Sequence, residues 1–386
     1  MGVEGTVADG FEAVRDAFAD VLARTGGGAA FAAYSGGRPL ADLWGGIADT
    51  RDGTPWTSDT VTVLFSGTKG LTATVLAALI GDGVIDPEER VATYWPEFAA
   101  AGKDDVRVWH LASHTAGLLY TDPAVPGAHG RLDNAENARR LAAQPTLWTP
   151  GERVSYHAIT YGYLVGEVIR RATGVTVGTL LRERVAGPLG LDVWLGTPPE
   201  VDPRVAHIVR ARGYRTNTFL KDESKRPILD RMYAGMLTGP DDPFNTVESR
   251  RAELASAGGI GGARAMARLY DVLAHGGTSP EGVRIVDAQA LARATTTWAE
   301  GEDCVNARPL RSGLGYELAD PIGTYGPAPV AFGHSGAGGS RHGAWPDAGI
   351  GFSFTMNELH SEDTDDRATN LLDTLHDCLA RADRTR

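Results

Sequence analysis

Strand-forming segments sit at the two ends of this chain and helix-forming segments fill its middle. That ordering restricts the fold more than any other feature of the sequence. AAFAAYSGGRPLADLWGG (29–46) reads as two strands around a hairpin turn at Ser35-Gly36-Gly37-Arg38. Residues 313–319, 329–334, 340–346 and 349–356 read as strands separated by glycines and by Pro346-Asp347. An amphipathic helix flanks each group. Phe11, Val14, Phe18 and Leu22 share one face of residues 8–23, and Leu371, Leu372, Leu375 and Leu379 mark a helix over 362–382. The expectation is an α+β domain in which one antiparallel sheet is built from both ends of the chain. Its sheet part covers about 1–60 and 310–386, and a mostly helical part covers about 61–309.

The middle supports this division. Helices are expected from Ser66 to Gly81, within 106–118, over 136–154 up to Pro145, over 159–174 with Gly174 at the C-terminal end, over 177–190 and over 261–277. The stretch 200–250, rich in Pro, Asp and Arg, carries no periodicity that assigns it. With 386 residues, 42% of them hydrophobic, there is ample chain for a large core.

Composition removes several function classes. The formal net charge of −12 repels phosphate backbones and anionic lipid, which argues against nucleic acid and membrane surfaces as partners. No apolar run approaches the roughly 18 residues that span a bilayer. The beginning, MGVEGTVADGFEAVRDAF, lacks a basic segment followed by an apolar one, so the expected location is cytoplasmic. Cys304 and Cys378, the two cysteines, suggest neither a disulfide framework nor a thiolate metal site.

Chemistry is concentrated at LFSGTKGLTATVLAALIGDG (64–83). Ser66 opens an apolar helix and Lys69 follows one turn later, so the two share a face about 5–6 Å apart. A serine hydroxyl becomes a useful nucleophile only when a base takes its proton. A lysine can serve as that base if burial lowers its pKa. The free N–H groups of a helix start favour developing negative charge. Against this, Ser is also a preferred N-cap. Two further clusters add weight: Ser155-Tyr156-His157-Ala158 ahead of a helix, and Gly333-His334-Ser335-Gly336-Ala337-Gly338-Gly339 at a strand edge.

Taken together, Ser66-Gly67-Thr68-Lys69, Tyr156 and His334-Ser335-Gly336 resemble the serine β-lactamase and penicillin-binding-protein superfamily. The match is closest to family VIII carboxylesterases, which have a class C β-lactamase fold. HLASHTAGL (110–118), WTPGERVSYHAITYGYLVGEVI (148–169), SAGGIGGARAMARLY (256–270) and GHSGAGGS (333–340) carry the same resemblance along most of the chain. It implies a site in the cleft between sheet and helical parts. It implies Ser66 as acyl-forming nucleophile, Lys69 and Tyr156 as the base system with the Tyr156 pKa lowered by Lys69, and an oxyanion hole from the N–H groups of Ser66 and Ala337. His334, Ser335, Gly336 and His157 are the expected substrate contacts. No metal and no cofactor are implied. Two departures separate this chain from the lactamases: Ala158 stands where Tyr-x-Asn has its amide, and His334-Ser335-Gly336 replaces Lys-Thr-Gly. A neutral histidine supplies no permanent cation for a substrate carboxylate. The implied function is hydrolysis of carboxylic esters with small or medium acyl groups. The alternatives are an acyltransferase or thioesterase/cyclase, a β-lactamase or D-Ala-D-Ala peptidase, and a non-catalytic binding protein.

Rival readings rest on other residues. Gly333-His334-Ser335-Gly336-Ala337 nearly matches a nucleophile elbow, with Asp347, His360 and His376 as conceivable triad partners, but an elbow needs a helix directly after its serine. His110 and His114 lie four apart on an expected helix, with no third metal ligand in sight, so they read as packing and hydrogen-bonding residues. Tyr161, Tyr163 and Trp109 read as core. The acidic run Glu362-Asp363-Thr364-Asp365-Asp366 reads as a solvated helix start.

Overall fold

The computed structural model describes residues 2–127, 129–215, 218–233 and 243–384. A ten-stranded antiparallel sheet is assembled from both ends of the chain. Three N-terminal strands, β1 (Glu4–Val7), β2 (Gly28–Ser35) and β3 (Arg38–Asp49), lie in the order β1-β3-β2, with Thr54–Pro55 pairing on β3. The C-terminal strand Ile350–Met356 then joins β2, with Phe354 opposite Phe31. Beyond it follow Arg341–Trp345, Phe332–Ser335, Glu317–Leu318, Pro309–Ser312 and, at the edge, Ala299–Glu302.

The two faces of β2 are covered differently. Ala32 and Tyr34 pack against Ala263 and Ala267 of the helix Ala263–Ala274. Ala29, Phe31 and Ala33 face the other way, by the two-residue period of a strand, and join the main core. The approach of that helix is very close. A Cβ on Gly351 would lie 2.0 Å from the Asp271 nitrogen, so only glycine fits there. Asp271 also clasps the hairpin turn by accepting the N–H groups of Gly36 (2.9 Å) and Gly37 (2.7 Å). A helix from the middle of the chain, and the strand Ala299–Glu302, thus belong to the sheet. The expected boundaries of 61–309 for the helical part are corrected accordingly: sequence order gave no sign that 263–274 returns to the sheet.

Helix α1 (Glu12–Ala23) packs beside the C-terminal helix Arg367–Arg384. The C-terminal helix begins after the acidic run, not within it. Asp365 is buried rather than solvated, because Arg367 Nε and Nη2 each reach its carboxylate at 2.8 Å. Central to the molecule is α2 (Gly67–Gly81), buried all round as far as Leu79, as expected of a helix that is apolar on every side. The remaining expected helices are found at Val108–Ala112, Asn134–Ala143, Thr160–Thr173 and Val177–Leu181. In the 200–250 stretch, short helices occupy Pro199–Arg204, Arg226–Tyr233 and Val247–Arg251. Residues 216, 217 and 234–242 of that stretch lie outside the described residues. Among the described residues, no helix is long and apolar enough to cross a membrane.

Candidate active site

The turn before α2 determines what Ser66 can do. Phe65 has a φ of 47°, a left-handed conformation that is uncommon for a bulky residue. It is held there by its edge contact with Phe244, ring centroids 5.0 Å apart, and by Thr68. Thr68 Oγ1 donates to the Phe65 carbonyl (2.6 Å) and accepts the Gly259 N–H (2.8 Å). Ser66 follows with helical angles (φ −64°, ψ −14°), and its side chain makes no capping bond. A capping serine has extended backbone and spends its oxygen on the helix N–H groups. Ser66 does neither, so its hydroxyl is available.

Lys69 is fully buried. Its Nζ donates to the carbonyls of Ala158 (2.7 Å) and Ser256 (3.0 Å) and lies 3.3 Å from Ser66 Oγ. Burial lowers its pKa to about 7, with the Glu317 charge acting in the opposite direction. A neutral amine has two N–H bonds and one lone pair. The two carbonyls take the N–H bonds, which leaves the lone pair for the Ser66 proton.

Tyr156 completes the group. Its hydroxyl lies beside the Ser66 side chain, and its ring centroid lies 4.7 Å from Lys69 Nζ. Burial, followed by the Glu317 charge, raises the phenol pKa well above its ordinary value. The expectation that Lys69 lowers this pKa is therefore corrected. A buried phenolate is too poorly solvated to form at rest beside an amine whose own charge burial disfavours. Tyr156 is a proton donor at rest, and the available base is Lys69.

These groups open onto a cleft of about 480 Å3 whose wall includes Ser66, Tyr156, Ser335, Gly336 and Ala337. Among the described residues, no acceptor is found for the N–H of Ser66 or Ala337. Gly336 brings the two segments together, since a Cβ there would lie 2.5 Å from the Leu64 carbonyl. Tyr214, Phe219, Tyr233 and Ile322 also line the cleft, together with the charged Arg308, Arg341 and Glu362.

Two expected substrate contacts are not on this wall. His157 is fully buried, with Nδ1 donating to the Ser155 carbonyl (2.8 Å) and Nε2 accepting the Leu118 N–H (3.2 Å). It braces two loops. His334 is 1% exposed and packs beneath Tyr156, ring centroids 6.0 Å apart. Its Nδ1 donates to the Ser335 carbonyl, and burial lowers its pKa to about 4, so it is neutral. Alternation along Phe332–Ser335 turns His334 toward α2 and Ser335 toward the cleft.

Among the described residues, Ser335 has no histidine or lysine hydrogen-bonded to its hydroxyl, and the carboxylate it meets is a weak base. Its hydroxyl donates to Glu317 (3.1 Å), and a strand follows in place of a helix. Of the triad partners considered for it, His360 is bonded to Glu358 and His376 packs on Trp345. His114 has a φ of 66° and lies beyond the helix Val108–Ala112, so it does not share a helix face with His110. It accepts the His157 N–H instead (3.1 Å). Among the described residues, no group of three or more His, Cys, Asp or Glu is placed to hold a metal ion.

Two polar residues that sequence reasoning did not single out, Glu317 and Asp303, shape the site. Glu317 is buried and accepts hydrogen bonds from Arg308 (3.0 Å), Tyr325 (2.5 Å) and Ser335. Burial raises its pKa, but the Arg308 charge and the hydrogen bonds from Tyr325 and Arg308 outweigh that and hold the carboxyl well below its usual range. Asp303 is also buried, behind Tyr156. The one sequence signal for Glu317 is an acid set between apolar strand residues, Tyr316 and Leu318.

The Beta-lactamase family pattern matches residues 14–376. The chain belongs to the beta-lactamase family. Within this family it is 35% identical over 364 residues to Esterase/beta-lactamase LipL of Mycobacterium tuberculosis (strain ATCC 25618 / H37Rv), covering 91% of this chain and 82% of that one. Among solved structures it is similar to a family VIII carboxylesterase, with 37% identity and a TM-score of 0.89 over 98% of this chain and all of that one. A penicillin-binding protein homolog from Caulobacter crescentus is similar at 36% identity and a TM-score of 0.87, with the same coverage.

Proposed function

We propose that this chain is a serine carboxylesterase acting through a Ser66 acyl-enzyme. The observation that carries this reading is the buried Lys69 amine, its N–H bonds taken by two carbonyls and its third side turned to Ser66 Oγ. Lys69 takes the hydroxyl proton as Ser66 Oγ bonds to the ester carbonyl carbon. The Ser66 and Ala337 N–H groups receive the oxyanion, each such donor being worth about 3 kcal/mol. As the ester bond breaks, the Tyr156 hydroxyl gives its proton to the leaving alkoxide, and the Lys69 ammonium restores it. Water then attacks the acyl-enzyme with the proton path reversed, which releases the acid and regenerates Ser66.

The apolar residues that line the cleft suit a small or medium acyl group, and the similarity to LipL, named an esterase/beta-lactamase, and to a family VIII carboxylesterase supports an ester substrate. Ala158 and the neutral His334 supply neither the amide nor the cation that the lactamase pattern places there. The partner in this reading is a small-molecule ester. Cytoplasmic location belongs to the same proposal and is supported by two unpaired cysteines, Cys304 and Cys378. The test is hydrolysis of p-nitrophenyl butyrate by the wild type, Ser66→Ala and Ser335→Ala. Loss confined to Ser66→Ala is expected. Loss confined to Ser335→Ala, or an inactive wild type, overturns the proposal.

A further inference from the structure

Tyr156 lies in a loop, residues 153–157, without regular structure. Its position has to be set from outside the loop. The sheet edge supplies the strongest contact. Asp303, directly after the edge strand Ala299–Glu302, is 2% exposed, and its Oδ2 accepts the Tyr156 N–H at 2.7 Å. Oδ1 has three other donors: Ser155 Oγ (2.9 Å), the Val305 N–H (2.8 Å) and the Asn306 N–H (3.1 Å). Next to it, the Cys304 N–H donates to the Val154 carbonyl (3.0 Å).

All four partners of this carboxylate are uncharged. Burying a carboxylate is costly, and four short donors are what offset that cost. The turn at 303–306 does not itself require a charge, because Oδ1 alone caps it and a neutral cap would do the same. The second oxygen is directed at the backbone of the catalytic loop. It ties the helical part, which contributes Tyr156, to the sheet part, which contributes the Ala337 N–H.

We propose that Asp303 is a positioning residue for the reaction: its Oδ2 holds the Tyr156 backbone so that the phenol meets the leaving oxygen. This rests on the role given to Tyr156 above. In Asp303→Asn the amide oxygen stays with its three donors, and the amide nitrogen faces the Tyr156 N–H, donor against donor. A displacement of about 1 Å at a reacting group costs on the order of 10²-fold in rate.

The experiment is a double-mutant cycle on p-nitrophenyl butyrate with Asp303→Asn, Tyr156→Phe and the pair, with Asp303→Ser as a second variant. Serine keeps the turn cap but cannot reach Tyr156. Either Asp303 variant is expected to lower kcat by about 10–10²-fold with KM within about threefold, and to add little to Tyr156→Phe, because both act through one hydroxyl. Ser155→Ala, which removes only an Oδ1 partner, should retain kcat within about threefold. The proposal is overturned if the Asp303 variants keep wild-type kcat. It is equally overturned if they reduce kcat by the same factor in the Tyr156→Phe background, which would be general loosening of the fold. If Tyr156→Phe alone keeps full kcat, the mechanism itself fails, and that result is distinct from the other two.

Discussion

In the proposed mechanism Lys69 is a base whose amine is about half uncharged near pH 7, and that tuning comes from where its nitrogen sits. Among the described residues, the Lys69 Nζ has no carboxylate in contact; its hydrogen-bond partners are two carbonyls and one hydroxyl. Burial lowers its pKa to about 7. Only the neutral amine accepts the Ser66 proton. The sign is therefore fixed: kcat/KM is low below pH 7, rises through about pH 7 and levels off above it. A kcat/KM profile on p-nitrophenyl butyrate that is flat from pH 5.5 to 8.5 would contradict this assignment. Lys69→Ala and Tyr156→Phe should each lower kcat by roughly 10²–10⁴, the scale of general acid–base losses. Tyr156 titrates well above its ordinary value, so it should impose no loss of activity between pH 7 and 9.

Elements carry these residues to one place only because glycines let them approach. Gly67 and Gly70, at the start of α2, face His342 and Tyr270. A Cβ on Gly70 would lie 2.2 Å from the Tyr270 hydroxyl, which is itself fully buried. Alanine is the better helix former by about 1 kcal/mol, yet overpacking of a filled core costs about 1–3 kcal/mol. Gly70→Ala should lower stability by about 1–2 kcal/mol on balance, seen in urea as a lower midpoint with an unchanged slope. The strands are held by charge as well. Arg308, 12% exposed, is paired with the buried Glu317, so Arg308→Ala leaves a carboxylate in the interior without its cation. A loss of about 3–5 kcal/mol in unfolding free energy is expected from such a break, and a loss below about 1 kcal/mol would show that water replaces the arginine.

At the scale of the molecule, the cleft is where two separately built halves meet, and its selectivity follows from what each half omits. The helical half offers Ala158 and the sheet half a neutral, buried His334. A β-lactam carries a carboxylate and an amide that go unanswered there. Its kcat/KM should fall on the order of 10²–10⁴ below that of p-nitrophenyl butyrate, the range expected when polar recognition is absent. Comparable turnover of nitrocefin and the ester would mean that another cation, such as Arg341 on the cleft wall, takes the carboxylate.

The sequence alone determined the broad order of strands, helices and strands, the hairpin at Ser35–Arg38, the apolar helix behind Ser66 and the motif residues that mark the family. Each of these is local or is set by a periodicity, so neighbouring residues suffice to write it. Tertiary structure decided the rest. Whether His334 or Ser335 faces the cleft depends on strand register, and one residue of slip exchanges them. The return of Ala263–Ala274 to the sheet depends on the absence of a Cβ at Gly351, which meets Asp271 from the far end of the chain. The protonation states of Lys69 and Tyr156 depend on burial and on the Glu317 charge, which belong to no single segment. Such quantities arise from distances between segments far apart in the chain, and those distances exist only once it has folded.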